Sequence, residues 1–245
     1  MPQTARQIAD DLRARISSGE FGAGARLPGE PALVQQYGVA KMTAGGALKL
    51  LIAEGIAYAR PGSGTYVRDF QPIRRIADQR LSRPGWTSGQ SVWAAETAGR
   101  TAEVRDIEVY ETRAPRWVSQ ALDLADDTAV LVRSRRYFVD EKPVQLATSY
   151  LPAELVRETR IAQPDPGPGG TYARLAELGA APAGFTEELR ARMPSPEEAE
   201  QLALLTGTPV VDICRTARDA ARRPVELNRM LLDAGSYVLQ YDFDS

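Results

Sequence analysis

The sequence predicts an α+β protein in two parts: an N-terminal helix, turn, helix and wing, then a larger domain built on a mainly antiparallel sheet. Three observations predict it. Between Leu27 and Val67, two apolar helix patterns flank Gly38, and a Pro-Gly turn between short β-prone runs follows them. From Ser91 onward the pattern changes to longer strand-like runs interleaved with short helical ones. Asp140-Glu141-Lys142-Pro143 joins two of those runs as a tight hairpin, which makes the sheet largely antiparallel.

Composition sets the frame. A chain of 245 residues holds one large or two modest domains, and 43% apolar with 25% charged residues is ordinary for a globular protein. No run of eighteen apolar residues is present, and MPQTARQIADD carries no apolar signal core. With a single Cys214 unable to form an internal disulfide, the expectation is a cytoplasmic protein with no membrane partner. The absence of histidine excludes Ser-His-Asp and Cys-His sites and removes the commonest nitrogen ligand of zinc, so no cofactor or metal is expected. Catalysis by carboxylates or Lys stays open. The net charge of −2 is uneven: residues 1 to 69 hold 8 Lys and Arg against 6 Asp and Glu, a mild basic excess.

The first helix is expected from Gln3 to about Ser18, where Ile8, Leu12 and Ile16 recur at i, i+4 and i+8 and Thr4 can cap the start. Gly19, Gly22 and Gly24 close it. In the second helix, Pro31 sits in the opening turn, Ala32, Leu33 and Tyr37 share one side, and Gly38 ends it. The third runs from about Ala40 to Glu54, with Ala44, Ala47, Leu48 and Leu51 on one apolar arc. Lys41, Met42, Gly45, Gly46 and Lys49 are expected on the opposite side. IAYAR and TYV then flank the turn Pro61-Gly62-Ser63-Gly64, whose near absence of side chains lets a hairpin tip approach a groove.

Leu27, Pro28 and Glu30 of an LP-x-E motif, the run Tyr37 to Thr43 (YGVAKMT), Ala47 to Gly55 (ALKLLIAEG) and Arg60 to Val67 (RPGSGTYV) together resemble the winged helix-turn-helix of the GntR family of bacterial transcription regulators. The resemblance implies double-stranded operator DNA as a partner. Lys41, Met42, Thr43, Gly45, Gly46 and Lys49 would face it from the third helix, and Glu30 from the start of the second. Arg60, Gly62, Ser63, Gly64 and Thr65 would face it from the wing. Four positions depart from the family pattern. Members usually carry Ser-Arg at Ala40-Lys41, a further Arg at Gly45 and often one at Pro31. An Arg there can chelate guanine O6 and N7 together, which Lys or Gly cannot. A missing Ser cap costs about 1 kcal/mol and each mid-helix Gly roughly 1 kcal/mol, which predicts a frayed third helix and weaker or redirected DNA binding.

Residues 70 to 90 read as a basic linker containing Arg74, Arg75, Arg80 and Arg83 and interrupted by Pro72, Pro84, Gly85 and Gly89. A solvated tether is favoured over a segment that orders against DNA or the second domain. The domains expected are therefore 1 to 69, the linker 70 to 90, and 91 to 245. In the last, strands are expected over Glu103 to Glu111, Val130 to Val139, Val144 to Leu151, Phe185 to Ala191, Val210 to Ala217, Val225 to Leu232 and Tyr237 to Asp242. Helices are expected over Pro115 to Leu122, Thr171 to Leu178 and Pro196 to Leu205. The Pro/Gly-rich stretch Gln163 to Gly170 reads as a mobile surface loop.

This second part resembles the UTRA effector-binding domain of the HutC branch of GntR regulators, related in fold to chorismate lyase. Val132 to Pro143 (VRSRRYFVDEKP), Thr148 to Leu155 (TSYLPAEL), Met193 to Leu205 with Gly207-Thr208-Pro209, and Arg223-Pro224-Val225-Glu226 carry the resemblance. It implies a ligand-responsive homodimeric repressor. Arg133, Arg135 and Tyr137 alternate onto one strand face, and two guanidiniums there would suit a phosphate or carboxylate. Arg135 matches an Arg that binds anionic effectors in sugar-phosphate-responsive relatives, and Glu226 matches a Glu that takes ligand hydroxyls or amines. Arg192, before the Met193-Pro194 turn, is a further candidate. Against this, Ala147 replaces a family Glu, the ending around Asp233 to Tyr237 is altered, and charged strand residues more often form a solvated face.

The reading is a DNA-binding transcriptional regulator, a dimer on a palindromic operator released by a small anionic effector. Three alternatives stay open: a sensing domain that only dimerises, an enzyme on the chorismate-lyase-like fold, and an interaction protein whose winged helix no longer reads DNA.

Overall fold

The computed structural model describes residues 3–69, 72–77, 81, 93, 97 and 99–243. The chain forms two compact units, Met1–Gln71 with Leu204–Thr208, and Pro72–Ala203 with Pro209–Ser245.

The first unit begins with α1, Ala5–Ser17, whose start is held by a reciprocal capping box. The Thr4 hydroxyl accepts from Gln7 N–H, and Thr4 N–H donates to the Gln7 side chain at 2.9 Å. α2, Glu30–Tyr37, carries Pro31 in its first turn and stops at Gly38 in the left-handed conformation. α3, Lys41–Ala53, starts at Ala40 without a side-chain cap. Its β-strands β1, Ala57–Arg60, and β2, Gly64–Val67, form the expected antiparallel hairpin. The core gathers Ile8, Ala9 and Leu12 of α1, Leu33 of α2 and Ala44, Ala47, Leu48 and Leu51 of α3. Ala32, expected beside Leu33, is exposed. On an eight-residue helix the buried side is narrow, and Leu33, Val34 and Tyr37 fill it.

The second unit is a six-stranded sheet in the order β4-β5-β6-β9-β8-β7, antiparallel throughout. The strands are β4, Ala102–Arg113; β5, Ala129–Val139; β6, Lys142–Pro152; β7, Gly184–Arg192; β8, Val210–Arg218; and β9, Pro224–Asp233. Asp140 and Glu141 both have positive φ (48° and 65°), so the β5–β6 hairpin turns through two left-handed residues whose twist matches the strands. The short helices α4, Arg116–Ala121; α5, Ala153–Val156; α6, Gly170–Glu177; and α7, Pro196–Gln201, surround the sheet. On one face Val118 of α4 and Leu122 just after it cover Val130, Val132 and Leu227. On the other, two apolar clusters lie at opposite ends: one around Leu131, Tyr172, Leu175 and Ala217, one around Ile73, Val139, Ile213 and Tyr237.

Two expectations are corrected. Ile73–Ile76, placed in the linker, is a strand (β3) paired in parallel with β10, Tyr237–Gln240; Ile73 and Arg75, two apart, share its buried face while Arg74 stays exposed. Arg80, Arg83, Pro84, Gly85 and Gly89 lie outside the described residues. The third predicted helix of this unit ends at Gln201 rather than Leu205, since Ala203 adopts positive φ. α7 itself starts on a capping box, Ser195 with Glu198.

Candidate nucleic-acid interface and ligand cavity

Helix α3 presents Lys41, Met42 and Lys49 to solvent, with Met42 90% exposed and Thr43 partly so. An exposed thioether on a helix face costs burial, but an apolar tip between cations suits a thymine methyl in a major groove. Glu30 opens α2 at the same end, and its carboxylate lies 3.8 Å from Lys41 Nζ. On the wing, Arg60 is exposed and stacks over the rings of Tyr58 and Tyr66, which fixes a guanidinium beside the hairpin tip. Gly62 takes the left-handed φ the turn needs, and Ser63 Oγ meets Tyr66 OH at 2.6 Å.

Three residues expected to face DNA do not present side-chain surface. Gly45 is buried against the Glu30 carboxylate, and a Cβ on Gly46 would stand 3.2 Å from Ala5 Cβ of α1. α3 packs against both α1 and α2, so its covered arc is wider than one apolar stripe: it buries Gly45 and half-buries Gly46. The same packing explains why α3 runs unbroken despite them. Thr65 is also buried: its strand position points inward, and its carbonyl accepts from Leu27 N–H. A cation that sequence reading missed lies here as well, since Arg26 packs its guanidinium against Gly64 at the start of β2.

In the second unit a cavity of about 100 Å³ opens on the sheet face between the two apolar clusters. Arg135 and Tyr137 of β5, Gln145 of β6, Glu226, Asn228 and Met230 of β9, and Arg215 of β8 form its floor. Gly169 and Thr171 at the start of α6 form part of its rim, with Tyr172 and Trp93 as aromatic walls. Arg215 and Asn228 of the floor belong to a polar row that crosses the sheet in register: Arg133 opposite Ser149, Ser149 opposite Asn228, Asn228 opposite Arg215, and Arg215 opposite Glu187. Arg135 donates to Ser149 Oγ at 2.6 Å. Among the described residues, Glu226 Oε2, Asn228 Oδ1 and Arg135 Nε are buried without a hydrogen-bond partner. Glu226 is 2% exposed, and a carboxylate left so far from water is expensive unless something else completes it. The first turn of α6 has no side-chain cap, so its N–H groups add positive potential at the rim.

Arg135, Tyr137 and Glu226 are thus brought together, whereas Arg133 and Arg192 are not. Arg133 lies on the same face beside the cavity lining and donates to the carbonyls of Ile161, Gln163 and Pro164, tying down the segment read as a mobile loop. Its burial, with Arg135 as a second cause, lowers its pKa to about 10, which leaves it charged at neutral pH. Arg192 is occupied by Glu198 and Asp212, and it fastens α7 to the sheet instead of facing the cavity. The overlooked residues are Arg215, Asn228 and Gln145. Arg215 had a signal: in β8 it occupies the inward phase between Ile213 and Ala217, where a charge is out of place.

The descriptions of two family models match this chain: "Bacterial regulatory proteins, gntR family" over residues 4–67 and "UTRA domain" over residues 97–237. This chain belongs to the GntR family. An uncharacterised HTH-type transcriptional regulator of Streptomyces coelicolor is 34% identical over 97% of this chain and 91% of its own length. The HTH-type transcriptional repressor NagR of Bacillus subtilis is 25% identical over 86% of this chain and 82% of its own. The crystal structure of a GntR-family transcriptional regulator superposes with a TM-score of 0.71 at 28% identity, covering 98% of this chain and 97% of the other. As a GntR regulator the chain joins a DNA-binding helix-turn-helix to a UTRA domain, and it is not an enzyme. Among the described residues no helix is long and apolar enough to cross a membrane.

Proposed function

We propose that this GntR regulator is a homodimeric repressor that leaves a palindromic operator when a small anionic effector occupies the cavity floored by Arg135, Arg215, Glu226 and Asn228. The observation that carries the reading is the buried Glu226 carboxylate with an unsatisfied oxygen beside Arg135. A ligand that offers an anionic group to the guanidiniums and a hydroxyl or amine to Glu226 and Asn228 satisfies both sets at once. The repressor sign follows the name of the Bacillus subtilis relative. On DNA, Lys41, Met42, Thr43 and Lys49 enter the major groove of each half-site, with Glu30 at its edge. Arg60 and the Gly62–Gly64 backbone approach the neighbouring phosphates or minor groove. The effector acts by binding one arrangement of the dimer more tightly than the other.

In vitro selection on genomic fragments, followed by titration of anionic metabolites against the selected site, tests this. Enrichment of a palindrome that one metabolite releases supports the whole reading. A palindrome that no anionic metabolite releases would leave a DNA-binding protein whose second unit only dimerises.

A further inference from the structure

The polar row beneath the cavity continues past Arg215 into a second ionic group that the sequence does not suggest. Glu187 of β7 lies directly opposite Arg215, and Arg215 Nη1 is 3.7 Å from its Oε1. The same oxygen receives Arg75 Nη2 of β3 at 2.6 Å, and the other oxygen accepts from Tyr241 OH at 3.0 Å. Arg75 Nη1 also reaches the sulfur of Met230, a residue of the cavity floor. Side-chain exposure is 2% for Arg75, 4% for Arg215 and 6% for Glu187, so the three charges interact with little screening.

We propose that Glu187 is the resident counter-ion of Arg215, and that an anionic ligand group takes over its share of that guanidinium, so that cavity occupancy is coupled to Arg75 and strand β3. The inference rests on the effector reading of the cavity. It adds a mechanism. One carboxylate divides its charge between a guanidinium that lines the cavity and one that does not. An anion arriving at Arg215 repels Glu187 and competes for its partner. Glu187 then leans more on Arg75, and the ion pair from β3 to β7 tightens. β3 begins at Ile73, only a few residues beyond Val67 at the end of the wing strand. The element that feels the ligand is therefore the first strand of the ligand-binding unit after the DNA-binding one.

The linkage has a definite sign. Removing the resident carboxylate takes a negative charge from beside Arg215, so Glu187→Gln tightens anion binding. Removing Arg75 forces Glu187 onto Arg215, so Arg75→Met weakens it, although Arg75 does not line the cavity. Because Arg75 acts on the cavity through Glu187, the double variant binds as Glu187→Gln does. Purified full-length proteins are titrated with inorganic phosphate by calorimetry, with amide exchange of residues 73–76 and 237–240 followed in parallel. Expected are an affinity change of about fivefold or more in each direction and slower exchange of β3 in the phosphate-bound wild type. Binding by Glu187→Gln alone also supports the proposal, as the resident carboxylate then excludes the anion. Phosphate binding to wild type with Glu187→Gln no tighter overturns the counter-ion proposal while leaving the effector reading intact. No binding by any of the proteins overturns the anion subsite itself. Single variants with a broken buried pair are less stable, and the double variant serves as the folded control.

Discussion

Gly45 lies directly beneath the carboxylate of Glu30: a Cβ placed on it would stand 2.8 Å from Glu30 Oε1. The neighbour is the far end of a flexible side chain, not backbone, so a larger residue at 45 displaces a carboxylate that already faces Lys41. Gly45→Arg is therefore expected to fold, to capture Glu30 as an ion partner and to bring a guanidinium to the edge of α3. Affinity for sites with a suitably placed guanine should rise by roughly 1–3 kcal/mol, the worth of a bidentate base contact. Gel-shift titration against GC-containing variants of the selected operator measures it, and no gain on any of them would remove Gly45 from the reading of DNA.

Lys49 is exposed on α3, and among the described residues no ion pair competes for its charge. Lys49→Ala should weaken binding to all sequences alike and reduce the slope of log K against log salt by about 1. A change confined to one base position would instead make Lys49 a reader of bases.

Glu226→Gln keeps the size of the side chain and removes its charge. Loss of effector response with unchanged operator affinity is expected, measured as DNA release at increasing effector concentration. Unchanged response would place the ligand elsewhere than the floor of this cavity.

The capping box at Thr4 fixes the start of α1, which packs behind the recognition helix. Thr4→Ala should cost about 1 kcal/mol, seen as amide exchange about fivefold faster in the first turns of α1. Exchange unchanged there would mean that packing of Ile8 and Leu12 alone holds the helix end.

Glu198 accepts two hydrogen bonds from Arg192 at 2.7 Å each and one from Ser195 N–H at 2.8 Å. Arg192 is the main reason its carboxyl is held down to about 2, against 4.5 ordinarily. A folded pKa below the unfolded one means that the stabilisation is complete above the ordinary value and lost as pH falls through the depressed one. The stability difference between wild type and Glu198→Gln should therefore be constant near neutral pH and shrink between about pH 5 and pH 2. Urea unfolding at several pH values reads it, and a pH-independent difference would show that the Arg192 contact is not ionic.

Much of this architecture is legible in the residues, for a physical reason. Helix starts at Thr4 and Ser195, the left-handed stop at Gly38 and the two-residue turn at Asp140-Glu141 are local devices whose chemistry is complete within four or five residues. Strands β4, β7 and β8 show inward–outward alternation, and the more fully buried β5 and β9 read as β-prone apolar runs. What escaped was decided at a distance. Gly45 and Gly46 look solvent-facing by helical phase alone, because the second packing partner of α3 is contributed by other helices. Arg133 and Arg192 share a pattern with cavity arginines, yet their destination depends on where the 161–164 carbonyls and Asp212 arrive. Arg75 looked solvated because its counter-ion sits on the far edge strand.

The parallel pairing of β3 with β10 also orders the protein's birth. Helices α1 to α3 and the wing are joined by contacts within the first 67 residues, so they can form while translation continues. Ile73 must wait for Tyr237 before its edge is paired. A nascent chain would thus carry a finished DNA-reading head ahead of a UTRA unit that closes last, and a ribosome stalled before Tyr237 would hold that head without its control.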